Sequence, residues 1–75
     1  MKALDHTRAI AALMVEGYSY VQIAERVGLR LGQVKTRVAT IRAVLAEHTG
    51  DAAWLGKNTT NVQTGRAFLE AGLGQ

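Results

Sequence analysis

Basic side chains are concentrated in the middle of the chain, where they could bind a polyanion. Residues 19–45 contain five basic residues and one acidic residue, a local net charge of +4, whereas the whole chain carries +3. The five basic residues are Arg26, Arg30, Lys35, Arg37 and Arg42. Clustered charge of one sign attracts the phosphates of a nucleic acid. The distribution therefore favours a polyanion-binding face, with an ordinary solvated helix face as the alternative.

Residues suited to catalysis or to metal binding are sparse. The chain has no cysteine, which excludes a disulfide framework and thiolate ligands. His6 and His48 lie far apart in the sequence, and neither has a second histidine or a paired carboxylate at the spacing of a metal site or an acid–base pair. We therefore predict no enzymatic activity, no metal and no other cofactor.

The spacing of apolar residues predicts an all-α protein, a small helical bundle that contains a helix-turn-helix. Apolar residues recur at helical spacing over residues 6–16 and predict a first helix there. Asp5 or Thr7 is its start signal, and Gly17 is its stop signal. Gly17 is expected to adopt the left-handed conformation that ends many helices.

A second and a third helix follow, separated by a short turn that contains Gly28. Ser19 and Gln22 have the spacing of a capping box, which predicts a second helix over residues 20–27. The third helix, over residues 32–47, has one apolar stripe and polar residues on its other faces. Two helices joined by a tight turn form a helix-turn-helix, and an ordinary three-helix bundle is the alternative.

We expect one domain in two parts, a three-helix helix-turn-helix core in residues 1–48 and a C-terminal extension in residues 49–75. The extension holds the only tryptophan and the only phenylalanine, and one or two short helices are expected in it. Its aromatic residues either complete the small core or form an oligomer or partner surface. The candidate residues for that surface are Trp54, Leu55, Phe68 and Leu69.

Residues 17–45 contain a longer sequence motif, GYSYVQIAERVGLRLGQVKTRVATIRAVL. Its characteristic positions are Gly17, Tyr18, Ser19, Ile23, Ala24, Gly28, Val34 and Lys35. At these positions the chain resembles region 4 of bacterial sigma factors and the related LuxR-type helix-turn-helix. Arg30 departs from the pattern, because the families usually have a capping serine or threonine there. The resemblance implies that the third helix is a recognition helix for the major groove of DNA.

A helix-turn-helix reads base edges with its recognition helix and holds the DNA backbone with the residues around it. The candidate base-contacting residues are Gln33, Lys35, Thr36, Ala39 and Thr40. The candidate phosphate contacts are Ser19, Tyr20, Arg30, Arg37 and Arg42. Most of these side chains lie on the third helix, so its outer face is the predicted site.

We therefore expect a small, sequence-specific transcription regulator of bacterial or phage type, with double-stranded DNA as its partner. One alternative is a module that binds a transcription protein such as RNA polymerase. Another is a DNA binder similar to the small subunit of a phage terminase. A homodimer is expected to pair two recognition helices on adjacent half-sites.

A cytoplasmic protein without a membrane segment is expected from the hydropathy of the chain. No apolar run approaches the roughly 20 residues that cross a bilayer. The N-terminal residues also carry charges where a secretory signal peptide has an apolar stretch.

Ala24 tests the predicted crossing of the second and third helices. Leucine at this position is expected to overpack the small core and to lower the free energy of unfolding by about 1–3 kcal/mol. Lys35→Ala is the control, because an exposed substitution should change stability by less than about 0.5 kcal/mol. Urea unfolding followed by circular dichroism measures both. An unchanged unfolding midpoint for Ala24→Leu would contradict the predicted crossing.

Overall fold

The computed structural model describes residues 2–56 and 59–73, and these residues form an all-helical bundle. The described ranges contain α1 (Lys2–Val15), α2 (Tyr20–Val27), α3 (Leu31–Thr49), a 3-10 helix (Ala52–Leu55) and α4 (Asn61–Glu70). The predicted all-α bundle with short C-terminal helices is thereby confirmed. Among the described helices, none combines the length and apolar character needed to span a membrane.

α1 begins earlier than the sequence pattern predicts. The helix starts at Lys2, so both predicted start signals, Asp5 and Thr7, lie inside it. The prediction was wrong because no helix breaker precedes Asp5, and residues 2–4 (Lys, Ala, Leu) are strong helix formers that extend the first turns. Past the other end of the helix, Gly17 has a φ of 88°, the left-handed conformation expected of it.

α2 has the predicted bounds because both of its ends are determined by neighbouring residues. The Ser19 hydroxyl accepts a hydrogen bond from the Gln22 N–H at 3.2 Å, and the Gln22 side chain accepts one from the Ser19 N–H at 2.9 Å. At the other end, Gly28 has a φ of 75°, and the N–H groups of Gly28 and Leu29 both donate to the Ala24 carbonyl. This left-handed turn leads directly into α3.

Glutamine occupies the same capping position at the starts of α3 and α4. The Gln33 side chain accepts a hydrogen bond from the Arg30 N–H at 2.9 Å, and the Gln63 side chain accepts one from the Thr60 N–H at 2.9 Å. The Thr60 hydroxyl completes its capping box by accepting the Gln63 N–H at 3.1 Å. Arg30 has no side-chain oxygen and makes no such bond. α3 therefore begins with half of a capping box.

All four α-helices contribute to one apolar core. Its buried residues are Ile10, Ala11, Met14, Ile23, Ala24, Val34, Val38, Ile41, Leu45 and Phe68. Phe68 is only 2% exposed, which corrects its assignment to an oligomer or partner surface. The physical reason is that α4 packs against α1 and α3 and turns Phe68 inward. The C-terminal helix thus completes the core, as one of the two alternatives predicts.

α4 lies so close to α1 that the contact requires a glycine. A Cβ atom on Gly65 would lie 2.5 Å from the carbonyl oxygen of Ala11 and 3.0 Å from the Cβ of Met14. The first of these contacts is with a backbone atom of α1, which cannot move aside as a flexible side chain could. Gly65, despite the low helix propensity of glycine, is therefore the residue that lets the helix pack.

Gly65→Ala is expected to destabilise the protein, although alanine has the better helix propensity. The gain of up to about 1 kcal/mol from propensity is outweighed by the clash with α1, which gives a net loss of about 1–3 kcal/mol. Gly32→Ala is the matched control, since Gly32 is also helical and a Cβ there would have no neighbour within 4 Å. Urea unfolding should show opposite shifts, and a stabilised Gly65→Ala variant would contradict the close contact.

Candidate nucleic-acid interface

The outer face of α3 is exposed because its core stripe, with Val34, Val38 and Ile41, points the other way. All five predicted base-contacting residues are exposed on this helix: Gln33, Lys35, Thr36, Ala39 and Thr40. The helix therefore brings these five side chains to one continuous solvent-facing surface. Their contact with bases stays a prediction.

A shallow, open groove of about 300 Å³ lies on this surface. It is lined by Gly32, Gln33, Thr36, Arg37 and Thr40. Arg37 is half-buried, and its Nε is buried without a hydrogen-bond partner in the described part of the chain. Leaving a buried donor without an acceptor costs roughly 1–3 kcal/mol. The groove thus contains an arginine whose Nε donor has no acceptor among the described residues.

The polar side chains of the groove are held in fixed orientations by the backbone of α3. The Thr36 hydroxyl donates to the Gly32 carbonyl at 3.0 Å, and the Thr40 hydroxyl donates to the Thr36 carbonyl at 3.1 Å. Gln33 uses its side-chain oxygen to accept the Arg30 N–H. These bonds use the hydroxyl proton of each threonine and orient the side-chain oxygen of Gln33.

Arg42 does not belong to the exposed basic face. Its Nη1 donates to the Thr59 hydroxyl at 2.7 Å and to the Trp54 carbonyl at 3.3 Å. Its Nη2 donates to the Asn61 side-chain oxygen at 3.1 Å and to the Thr59 carbonyl at 3.4 Å. The prediction that Arg42 holds a DNA phosphate is corrected accordingly, because its guanidinium joins α3 to Trp54, to Thr59 and to the first residue of α4.

Two further predicted phosphate contacts have partners inside the protein. The Tyr20 hydroxyl donates to the Asn61 side-chain oxygen at 3.1 Å, and Ser19 forms the capping box of α2. Arg26, which sequence reasoning left unassigned, lies over the ring of Tyr18 with its guanidinium carbon 4.1 Å from the ring centre. Sequence spacing gave no signal for Asn61, although it binds both Tyr20 and Arg42.

The remaining residues of the predicted partner surface differ in exposure. Leu55 is 59% exposed, whereas Trp54 and Leu69 are half-buried and pack against the core. Val21, which was not predicted, is 54% exposed at the start of α2. Leu55 is therefore the most exposed member of the predicted surface.

The described part of the chain contains no cluster of side chains that could bind a metal ion. Residues 6–56 and 59–73 contain no group of three histidine, aspartate or glutamate side chains that could hold a metal ion. His6 and His48 belong to no such group.

No protein-family model, curated protein or solved structure matches this chain. The resemblance to sigma-factor region 4 and to the LuxR-type helix-turn-helix therefore stays a prediction.

Arg42→Lys is expected to destabilise the protein although it keeps the positive charge. A lysine amine cannot reproduce the planar set of bonds to Trp54, Thr59 and Asn61, and losing bonds from a charged donor should cost about 1–3 kcal/mol. Arg66→Lys is the control, because Arg66 is exposed on α4. Urea unfolding compares the two variants. Equal midpoints would show that the Arg42 bonds contribute nothing to stability.

Proposed function

We propose that this protein binds double-stranded DNA by placing α3 in the major groove. The strongest support is the positive charge along the solvent-facing side of α3. Arg30 and Lys35 are exposed and Arg37 lines the groove, while no acidic residue occurs between Glu25 and Glu47. An uninterrupted basic surface on a helix is the electrostatic pattern expected where DNA phosphates approach from both sides.

The length of this acid-free surface suits a major groove. At a rise of 1.5 Å per residue, residues 31–46 extend for roughly 24 Å. The major groove of B-DNA is about 12 Å wide. A helix lying in it can therefore contact bases and both phosphate backbones before Glu47 introduces a negative charge.

Small side chains on the outer face support close approach to the bases. Gly32, Ala39 and Ala43 are exposed and add little bulk beyond the helix backbone. The longer basic side chains of Lys35 and Arg37 lie beside them on the same helix. Base edges therefore meet short side chains, while phosphates are within reach of long cationic ones.

The start of α3 offers further donors to a phosphate. Arg30 is exposed and forms no side-chain cap, so the first-turn N–H groups of α3 do not bond to the side chain at the N-cap. Exposed N–H groups at a helix start and a neighbouring arginine are both common phosphate donors. This departure from the sigma-factor pattern is thus compatible with DNA binding.

The salt dependence of binding tests the proposal. Because Arg42 is engaged inside the protein, Arg30 at the N-cap of α3 and Lys35 and Arg37 on the helix remain for phosphate contacts, and the slope of log K against log salt should be about −3 per chain. Fluorescence anisotropy with a labelled mixed-sequence duplex, between about 50 and 200 mM salt, measures this slope. Absence of binding at the lowest salt would overturn the proposal and favour a transcription protein as the partner.

A matched pair of variants separates a local contact from a general effect of charge. Lys35→Ala and Arg66→Ala each remove one positive charge, the first from α3 and the second from α4. Lys35→Ala should weaken binding and reduce the salt slope by about one if the lysine meets a phosphate, whereas Arg66→Ala should leave the slope unchanged. Equal losses in both variants would show that α3 is not the binding face.

A further inference from the structure

We infer that the groove on α3 reads thymine, through the 5-methyl group and the O4 atom of the base, an inference that rests on the proposed DNA-binding function. The groove lies in the middle of the proposed binding face and is lined by Gln33, Thr36 and Thr40 together with Gly32 and Arg37. Hydrogen bonds within α3 fix what each polar side chain can still offer to a base.

Thr36 and Thr40 present methyl groups and no free hydroxyl proton. Their hydroxyls donate to the carbonyls of Gly32 and Thr36, at 3.0 and 3.1 Å. Since a hydroxyl has one proton, neither threonine can donate to a base without breaking its bond to α3. Each retains an apolar methyl group and oxygen lone pairs. The threonines therefore suit an apolar contact, which in the major groove means the thymine methyl group.

The capping bond fixes the orientation of the Gln33 side-chain amide. Its oxygen accepts the Arg30 N–H at 2.9 Å and faces the start of α3, whereas the two donors of the NH₂ group are not used by this bond. Adenine is recognised by a glutamine that both donates to N7 and accepts from N6. The Gln33 oxygen keeps a second lone pair, but it is fixed beside the Arg30 N–H, so donation from the NH₂ group to a base oxygen is the contact that requires no change at the helix start.

Among the four bases, thymine matches this combination best. Thymine presents an acceptor, O4, next to a methyl group. Adenine, guanine and cytosine present no methyl group in the major groove, and cytosine would also place its N4 donor against the Gln33 NH₂ group. Gln33 and Thr36 are three residues apart, and Thr36 and Thr40 are four apart, spacings that put side chains side by side on one helix face. One base edge can therefore meet the Gln33 donor and a threonine methyl group together.

Deoxyuridine provides the test, because it differs from thymidine by the methyl group alone. The probe is the tightest duplex selected from a random pool by the 75-residue chain. It is made once with thymidine and once with deoxyuridine in every thymidine position. Loss of the methyl contact should weaken binding by the wild-type protein about three- to tenfold. Anisotropy titration of both duplexes at one salt concentration gives this thymidine-to-deoxyuridine ratio.

Two double variants serve as a matched pair. Thr36→Val with Thr40→Val keeps the methyl groups and removes the hydroxyls, so the ratio should persist. Thr36→Ser with Thr40→Ser keeps the hydroxyls and removes the methyl groups, so the ratio should fall to near one. Any difference in shape between the two duplexes acts equally on all three proteins and cancels in this comparison. Urea unfolding verifies that both variants are folded.

The outcomes distinguish the inference from the proposed function. Tight binding with equal affinity for both duplexes, or an unchanged ratio in the serine variant, would overturn thymine readout and leave DNA binding intact. A selected duplex without thymine would also overturn it. Failure to bind any duplex at low salt would overturn the proposed function, and thymine readout with it.

Discussion

The packing of α4 on α1 depends on a backbone contact at Gly65, and the closed core depends on that packing. With hydrogen as its side chain, this residue lets α4 approach the Ala11 carbonyl and brings Phe68 into the core one turn later. Burial of Phe68 matters in a chain of 75 residues, since a core this small has few large side chains to replace it. The close contact is thus a condition for a stable scaffold behind α3.

The scaffold divides the basic residues of the sequence into two groups with different roles. Arg42 points toward the C-terminal segment and is held by four hydrogen bonds, whereas Arg30 and Lys35 point into solvent. An arginine suits the inner position, because its planar group can satisfy several oxygen atoms at once. The proposed DNA-binding surface consequently has less positive charge than the sequence suggests. The charge that remains lies on the solvent-facing side of α3 and at its start.

Features set by neighbouring residues were predictable from the sequence, and those set by distant residues were not. α2 was predicted correctly because Ser19 with Gln22 and the glycine at 28 determine its ends within a few residues. The exposure of the five candidate base-contacting residues followed from the helical period of α3. The role of Arg42 depends on Thr59 and Asn61, which are 17 and 19 residues away, and no local pattern indicates those bonds. Gly65 likewise has only a low helix propensity by its residue type, and its packing role depends on Ala11, which is distant in the sequence.

The glutamines at the helix starts affect the electrostatic potential there. A glutamate could also accept the backbone N–H at this position of a capping box, but the first turns of α2, α3 and α4 contain no acidic residue. The aligned peptide dipoles of a helix place about half a positive charge at its start, and a glutamate would neutralise it. Glutamine bonds to the backbone and leaves that partial charge intact. At α3 this partial positive charge adds to the field of Arg30. Because peptide groups do not titrate, the partial charge persists at any pH at which the helix is folded.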